Sequence, residues 1–133
     1  MLLYEIYANQ NRSIVKLSDI PINLQKATIA IEDKDFYSHP GFDIRGMARA
    51  AYNNARNNDL QGGSTLTQQL IKSAFLTPSP TIQRKVKEII LAFWAERIYS
   101  KNQILELYFN YVPYGGTAWG IQAASEVYFG KTV

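Results

Sequence analysis

A carboxylate that ends an apolar run and precedes a turn is placed for proton transfer, and Glu32 is such a carboxylate. It follows Ala27-Thr28-Ile29-Ala30-Ile31 and opens the stretch Glu32-Asp33-Lys34-Asp35-Phe36-Tyr37-Ser38-His39-Pro40-Gly41, which closes on a Pro-Gly break. A carboxyl group partly desolvated at the lip between a buried element and a loop is tuned toward general-base work. The same stretch holds the only histidine. Taken alone, it is first of all a cluster of charges before a turn.

Two further stretches point to an anion. Gly62-Gly63-Ser64 opens a helix, so unhindered backbone N–H groups and the positive end of a helix dipole face the same way. The lysine spacing of a phosphate-binding P-loop is missing. At about 100° per residue, Thr65, Gln68, Gln69 and Lys72 share one sector of that helix, with Leu66, Leu70 and Ala74 opposite. The plain alternative is a flexible loop, a cap and a solvated face. Downstream, Arg84, Lys85 and Glu88 allow an Arg84–Glu88 pair on a helix surface, contributing about 0.3–0.5 kcal/mol. They equally allow two cations that face a phosphate while Glu88 orients them, with Lys72 and Arg49 adding to the field. Arginine grips phosphate oxygens with a fork and lysine acts as a point charge, so a mixed set suits a leaving diphosphate.

The elements that must carry these residues are nearly all helical. Residues 4–18 alternate apolar and polar around Asn9-Gln10-Asn11, which predicts a short extended segment or hairpin. Ser18-Asp19-Ile20-Pro21 starts a helix running to about Ile31, with Leu24, Ala27 and Ile31 on one face. Asp43 caps a helix through about Asn57, whose buried side is predicted as Ile44, Met47, Ala48, Ala51 and Ala55. A loop from Asn57 to Gly63 feeds Ser64, the expected N-cap of a helix from Thr65 to about Leu76. Thr77-Pro78-Ser79-Pro80 breaks the chain. A long helix from Thr81 to Tyr99 is apolar on most of its circumference, which predicts a central, buried position. Ser100-Lys101-Asn102-Gln103 is a capping box for a helix ending near Tyr111, Pro113-Tyr114-Gly115-Gly116 a turn, and Ala118 to Phe129 a last helix stopped by Gly130.

Composition narrows the classes. The 133 residues suit one domain, and 47 % hydrophobic content is that of a globular chain. The absence of cysteine excludes a disulfide framework, a thiol nucleophile and a cysteine-zinc site, and a single histidine excludes a histidine-rich metal centre. A net charge of +3 is compatible with phosphate-bearing or membrane-surface partners. The apolar run Ile89 to Ala95 falls far short of the roughly 20 residues that span a bilayer, so no anchor is expected within these residues.

Each motif is weak singly, but their order is not. Glu32, Asp33, Phe36, His39 and Gly41 match E-D-x-x-F-x-x-H-x-G. Gly62 to Gln69 match G-G-S-T-[IL]-[TS]-Q-Q, and Arg84, Lys85 and Glu88 match R-K-x-x-E. Lys101 to Asn110 match K-x-x-I-L-E-x-Y-[LF]-N, and Gly120 to Ala124, continuing to Tyr128-Phe129-Gly130-Lys131, supply a fifth element. Over essentially its whole length the chain resembles the peptidoglycan glycosyltransferase (transglycosylase) domain of bifunctional penicillin-binding proteins and monofunctional murein polymerases. It departs from that pattern in lacking a preceding transmembrane helix and in stopping at Val133, where relatives continue into more helix.

The resemblance implies a mostly α, lysozyme-like domain over residues 1–133, shortened at its C-terminal end. It implies polymerisation of lipid II: a glycan on a polyprenyl diphosphate is the donor, and the 4-hydroxyl of an N-acetylglucosamine is the acceptor, with inversion. On that resemblance Glu32 is the general base and Glu88 assists, by holding cations or a divalent metal, Mg²⁺ or Mn²⁺, with no organic cofactor. Arg49, Lys72, Arg84 and Lys85 face the diphosphate; Ser64, Thr65, Gln68 and Gln69 line the sugar-diphosphate path; Asp33, Phe36 and His39 shape the site. The implied partners are lipid II, the lipid-linked glycan, the membrane surface and moenomycin-type inhibitors, with no nucleic acid, at the outer face of the bacterial cytoplasmic membrane. Two other readings stay open: a lysozyme-like hydrolase using Glu32 as acid, and a truncated lipid II-binding domain without turnover.

Overall fold

Three side-chain caps decide where the main helices begin. In the computed structural model, which describes residues 13–57, 62–76 and 80–133, the helices are α1 (Ile22–Glu32), α2 (Ile44–Asn57), α3 (Leu66–Phe75), α4 (Ile82–Ile98), α5 (Lys101–Tyr111) and α6 (Ile121–Phe129). Thr65 caps α3, Thr81 caps α4 and Ser100 caps α5, and the caps of α3 and α5 are reciprocal boxes with Gln68 and Gln103. The box at Ser100 is the predicted one. At α3 the cap lies one residue later than predicted, at Thr65 instead of Ser64, because Ser64 is held elsewhere by Lys85. The mostly α class holds, and among the described residues the only β-type pairing is a single bridge between Pro113 and Trp119. No helix among them is long and apolar enough to cross a membrane.

The predicted hairpin lies largely outside the described residues; its end forms a 3₁₀ turn at Leu17–Asp19, and Pro21 takes the N-cap position of α1. Among the described residues this segment has no strand partner, and side chains of α5 satisfy its backbone. Asn110 brackets Val15, accepting from its N–H at 2.9 Å and donating to its carbonyl at 2.8 Å. Glu106 accepts from the Leu17 N–H at 2.7 Å.

The core sits between α3 and α5, not around α4. Helix α5 buries Ile104, Leu105, Tyr108, Phe109, Asn110 and Tyr111, and α3 buries Leu66, Thr67, Gln68, Leu70 and Ile71. Helix α4, expected to be central, buries only Glu88 and Ala92, and leaves Val86, Ile90, Trp94 and Ile98 half or more exposed. Helix α4 packs against α3, but that contact leaves much of its apolar circumference uncovered. Leu70, Ile71, Leu91, Trp94, Ile98 and Tyr111 are among the residues that line an apolar groove of about 320 Å³ there.

Helix α2 also presents a face other than the predicted one. Ile44, Ala48, Ala51 and Ala55 are exposed, and the buried positions are Gly46 and Ala50. The reason is close backbone packing: a Cβ on Gly63 would lie 3.0 Å from the Ala50 Cβ and 3.2 Å from the Met47 Cα. Small residues on both sides let the 62–65 segment lie along α2.

Gly41 fixes the turn that follows Glu32. Its φ is +92°, and a Cβ there would stand 2.6 Å from the Ala92 carbonyl oxygen of α4. Replacing Gly41 by Ala combines an unfavourable φ with a backbone clash, each costing about 1–3 kcal/mol. Thermal unfolding of Gly41→Ala is expected to fall well below that of the parent protein, whereas Gly116→Ala, with positive φ but open space, is expected to lose less.

Candidate active site

The turn after α1 is built around a buried carboxylate, and it is Asp33 that is buried, not Glu32. Asp33 is 9 % exposed. It accepts from His39 Nε2 at 2.8 and 2.9 Å and from the Leu66 N–H at 3.0 Å. His39 Nδ1 in turn accepts from the Gly41 N–H at 3.1 Å, so the ring proton lies on Nε2 and points at Asp33. The first free N–H of α3 is thus satisfied by a carboxylate 33 residues earlier in the chain, at the end of the helix dipole that favours negative charge. Thr65 completes the joint by donating to the Gly41 carbonyl at 2.7 Å. The first two motifs meet through these bonds.

Phe36 is fully buried beneath this joint. Lys101 of α5 sits 4.6 Å above its ring centroid, donates to the His39 carbonyl at 2.7 Å and pairs with Glu96 at 2.5 Å. The other Glu96 oxygen accepts from Thr67 at 2.6 Å. Lys101, Glu96 and Thr67 were not singled out as site residues from sequence. The signal for Lys101 was its place at the head of the fourth motif; Glu96 carried none.

Glu32 ends α1 and stands exposed, without the shelter its apolar predecessors suggested, because α1 buries none of its residues. Its carboxylate accepts from Gln69 Nε2 of α3 at 3.0 Å. Both line a cleft of about 350 Å³ together with Asp43, Arg49, Ser64 and Thr65. The predicted polar sector of α3 therefore divides. Gln69 reaches the cleft and Lys72 is exposed, but Gln68 is fully buried, with Oε1 accepting from the Thr65 N–H at 2.9 Å. Gln68 holds the helix start and does not line the cleft.

The cation cluster is also arranged differently from the predicted pair. Glu88 is 1 % exposed and takes Lys85, three residues before it, at 2.5 Å, in place of Arg84. Lys85 reaches on to Ser64, donating to Oγ at 2.8 Å, so one ammonium joins the third motif to the second. Lys72, Arg84 and Lys85 stand outside the cleft lining; of the four predicted cations only Arg49 lies within it, beside Lys34, which the sequence did not single out. Glu88 does not fit a divalent ion in this arrangement. Its carboxylate already holds an ammonium, magnesium asks for a near-octahedral oxygen set, and among the described residues no three His, Cys, Asp or Glu gather to supply one.

A carboxylate oriented by an amide, in a cleft with a cation and a helix N-terminus, can take a proton from a hydroxyl while an anionic group is held nearby. Comparison with known proteins gives the same class. The family profile described as Transglycosylase matches residues 1–133. The chain is 43 % identical over 135 residues to penicillin-binding protein 1A of Rickettsia prowazekii, covering 98 % of this chain and 17 % of that protein. It is 46 % identical over 125 residues to penicillin-binding protein 1F of Bacillus subtilis, covering 93 % of this chain and 18 % of that protein. Against penicillin-binding protein 1A of Neisseria gonorrhoeae the identity is 44 % over 129 residues, or 96 % of this chain and 16 % of that protein. The chain thus spans about a sixth of the length of these relatives. On the match along its whole length, the chain belongs to the transglycosylase family and is a glycosyltransferase domain of mostly α, lysozyme-like fold.

Proposed function

We propose that this domain polymerises lipid II into glycan strands at the outer face of the cytoplasmic membrane. The observation that carries the reading is Glu32 held by Gln69 in a cleft that also presents Arg49 and the N-terminal end of α3. In the reaction, the 4-hydroxyl oxygen of the acceptor N-acetylglucosamine attacks the donor's anomeric carbon. The bond from that carbon to the diphosphate oxygen breaks, its electron pair leaves with the polyprenyl diphosphate, and the hydroxyl proton passes to Glu32. Attack from the face opposite the leaving group inverts the carbon. An alcohol is a weak nucleophile at neutral pH, and a positioned base contributes about 10²–10⁴-fold.

Charge grows on the leaving diphosphate, and fixed cations aimed at it lower the barrier. Arg49 serves this role within the cleft, with Lys72, Arg84 and Lys85 forming the approach beyond it. Glu88 holds Lys85 in place. The same cationic approach suits a phosphoglycolipid inhibitor of the moenomycin type. A hydrolase with a sugar leaving group has no use for that cluster, and Asp33, the carboxylate next to Glu32, is already engaged by His39 and Leu66.

The test is incubation with lipid II in detergent, followed by separation of products by length. Long new glycan digestible by muramidase is expected. Shortening of added glycan without polymer would overturn the transferase reading in favour of hydrolysis, and retention of lipid II without product would leave only binding.

A further inference from the structure

A glutamine beside a carboxylate must choose which end of its amide to present. The carboxylate only accepts, so the NH₂ end bonds to it, while the flipped amide would set oxygen against oxygen. Gln69 presents Nε2 to Glu32 Oε2 at 3.0 Å. Its other end, Oε1, accepts from the hydroxyl of Tyr108 at 3.3 Å. That distance is long for an O–H···O bond, so it does more to set direction than to add stability. Tyr108 comes from α5 and is 6 % exposed, its ring edge-on to Phe109 with centroids 5.9 Å apart. The donor is therefore held by the core, while the carboxylate it serves stands at the surface.

We propose that Tyr108 is a positioning residue for glycosyl transfer: its hydroxyl locks the Gln69 amide in the orientation that donates to Glu32, and so aims the general base. The three groups form a head-to-tail chain in which each bond polarises the next. Burial first, and the charge of Glu32 second, push the pKa of Tyr108 well above the ordinary phenol value, so it stays a donor throughout the working pH range. Tyr114 is shifted the same way, by burial and then by Tyr108 and Glu32, and its hydroxyl has no hydrogen-bond partner among the described residues. The other charged groups lining the cleft are Asp33, Lys34, Asp35, Asp43 and Arg49, none of them on α5. The assignment rests on Glu32 being the base, and it gives the fourth motif a part in the chemistry that its spacing alone did not reveal.

The experiment is Tyr108→Phe, alone and in a Gln69→Ala background, measured for turnover on lipid II and by NMR of the Gln69 side-chain amide. Phenylalanine keeps the packed ring and removes only the hydroxyl. The expected result is a fall in kcat of roughly tenfold or more with KM little changed, the pattern of a lost transition-state orientation. The two Gln69 amide protons should move toward free-glutamine positions, and Tyr108→Phe should cost nothing further once Gln69 is Ala. Unchanged amide resonances, or an equal loss of kcat in the Gln69→Ala background, would overturn the proposal. The amide readout needs no activity. A Tyr108-dependent amide in a protein whose Glu32→Gln variant still turns over would place the failure with the base and not with the lock.

Discussion

A Glu32→Gln protein is expected to fold, to bind lipid II and to form glycan at a rate lower by about 10²–10⁴. The glutamine keeps the size of the side chain and an oxygen for Gln69 Nε2, so the hydrogen bond between α1 and α3 persists. Glu32 is exposed and takes no part in the core, which removes any folding explanation for the loss. What disappears is the group that takes the proton. Near-normal turnover by the folded variant would remove Glu32 from the base role and the proposed reaction with it. Product length on gels, beside a circular-dichroism melt, makes the check.

The neighbouring position should behave in the opposite way. Asp33→Ala removes a buried acceptor from two donors, His39 Nε2 and the Leu66 N–H, and leaves both without a bond in the interior. Each stranded donor costs about 1–3 kcal/mol, so the sum approaches half the stability of an ordinary domain. The midpoint of thermal unfolding should fall by roughly 10 °C or more. Asp33→Asn, which keeps one acceptor oxygen, should fall between the two. A melt for Asp33→Ala within a degree or two of the parent would show that the joint between the first two motifs is dispensable.

Sequence carried the chemistry further than the packing. The Ser100–Gln103 box was legible because a capping box is a local contract between residues three apart. Glu32, Asp33, His39 and Gly41 were legible as a group because one short turn holds them. The partner of Glu88 was not, since Lys85 and Arg84 are both within reach of it on a helix and only the position of Ser64 draws the lysine across. The buried face of α2 was misplaced because glycine and alanine at 46 and 50 carry little hydrophobic signal, yet they are what a neighbouring backbone can approach. Helix α4 was placed at the centre because apolarity records what a helix can bury, not what lies beside it. Gln68 and Gln69 are adjacent and chemically identical, and periodicity put both on the polar side. Only the position of Thr65 at the helix start makes one the reciprocal partner of the cap and sends the other to the cleft.

The bond from the Leu66 N–H to Asp33 has a consequence for solvent exchange. Amides in the first turn of a helix ordinarily lack an intrahelical acceptor and exchange their protons quickly. Leu66 is fully buried and its amide is closed by a carboxylate from the other side of the site. That proton can leave only when the start of α3 and the turn at residues 33–41 part company. Its exchange rate is therefore a clock for the opening of the catalytic cleft itself, on the scale of local unfolding and not of the whole domain. A ligand bridging the two sides should slow that clock before it changes anything visible in the melt.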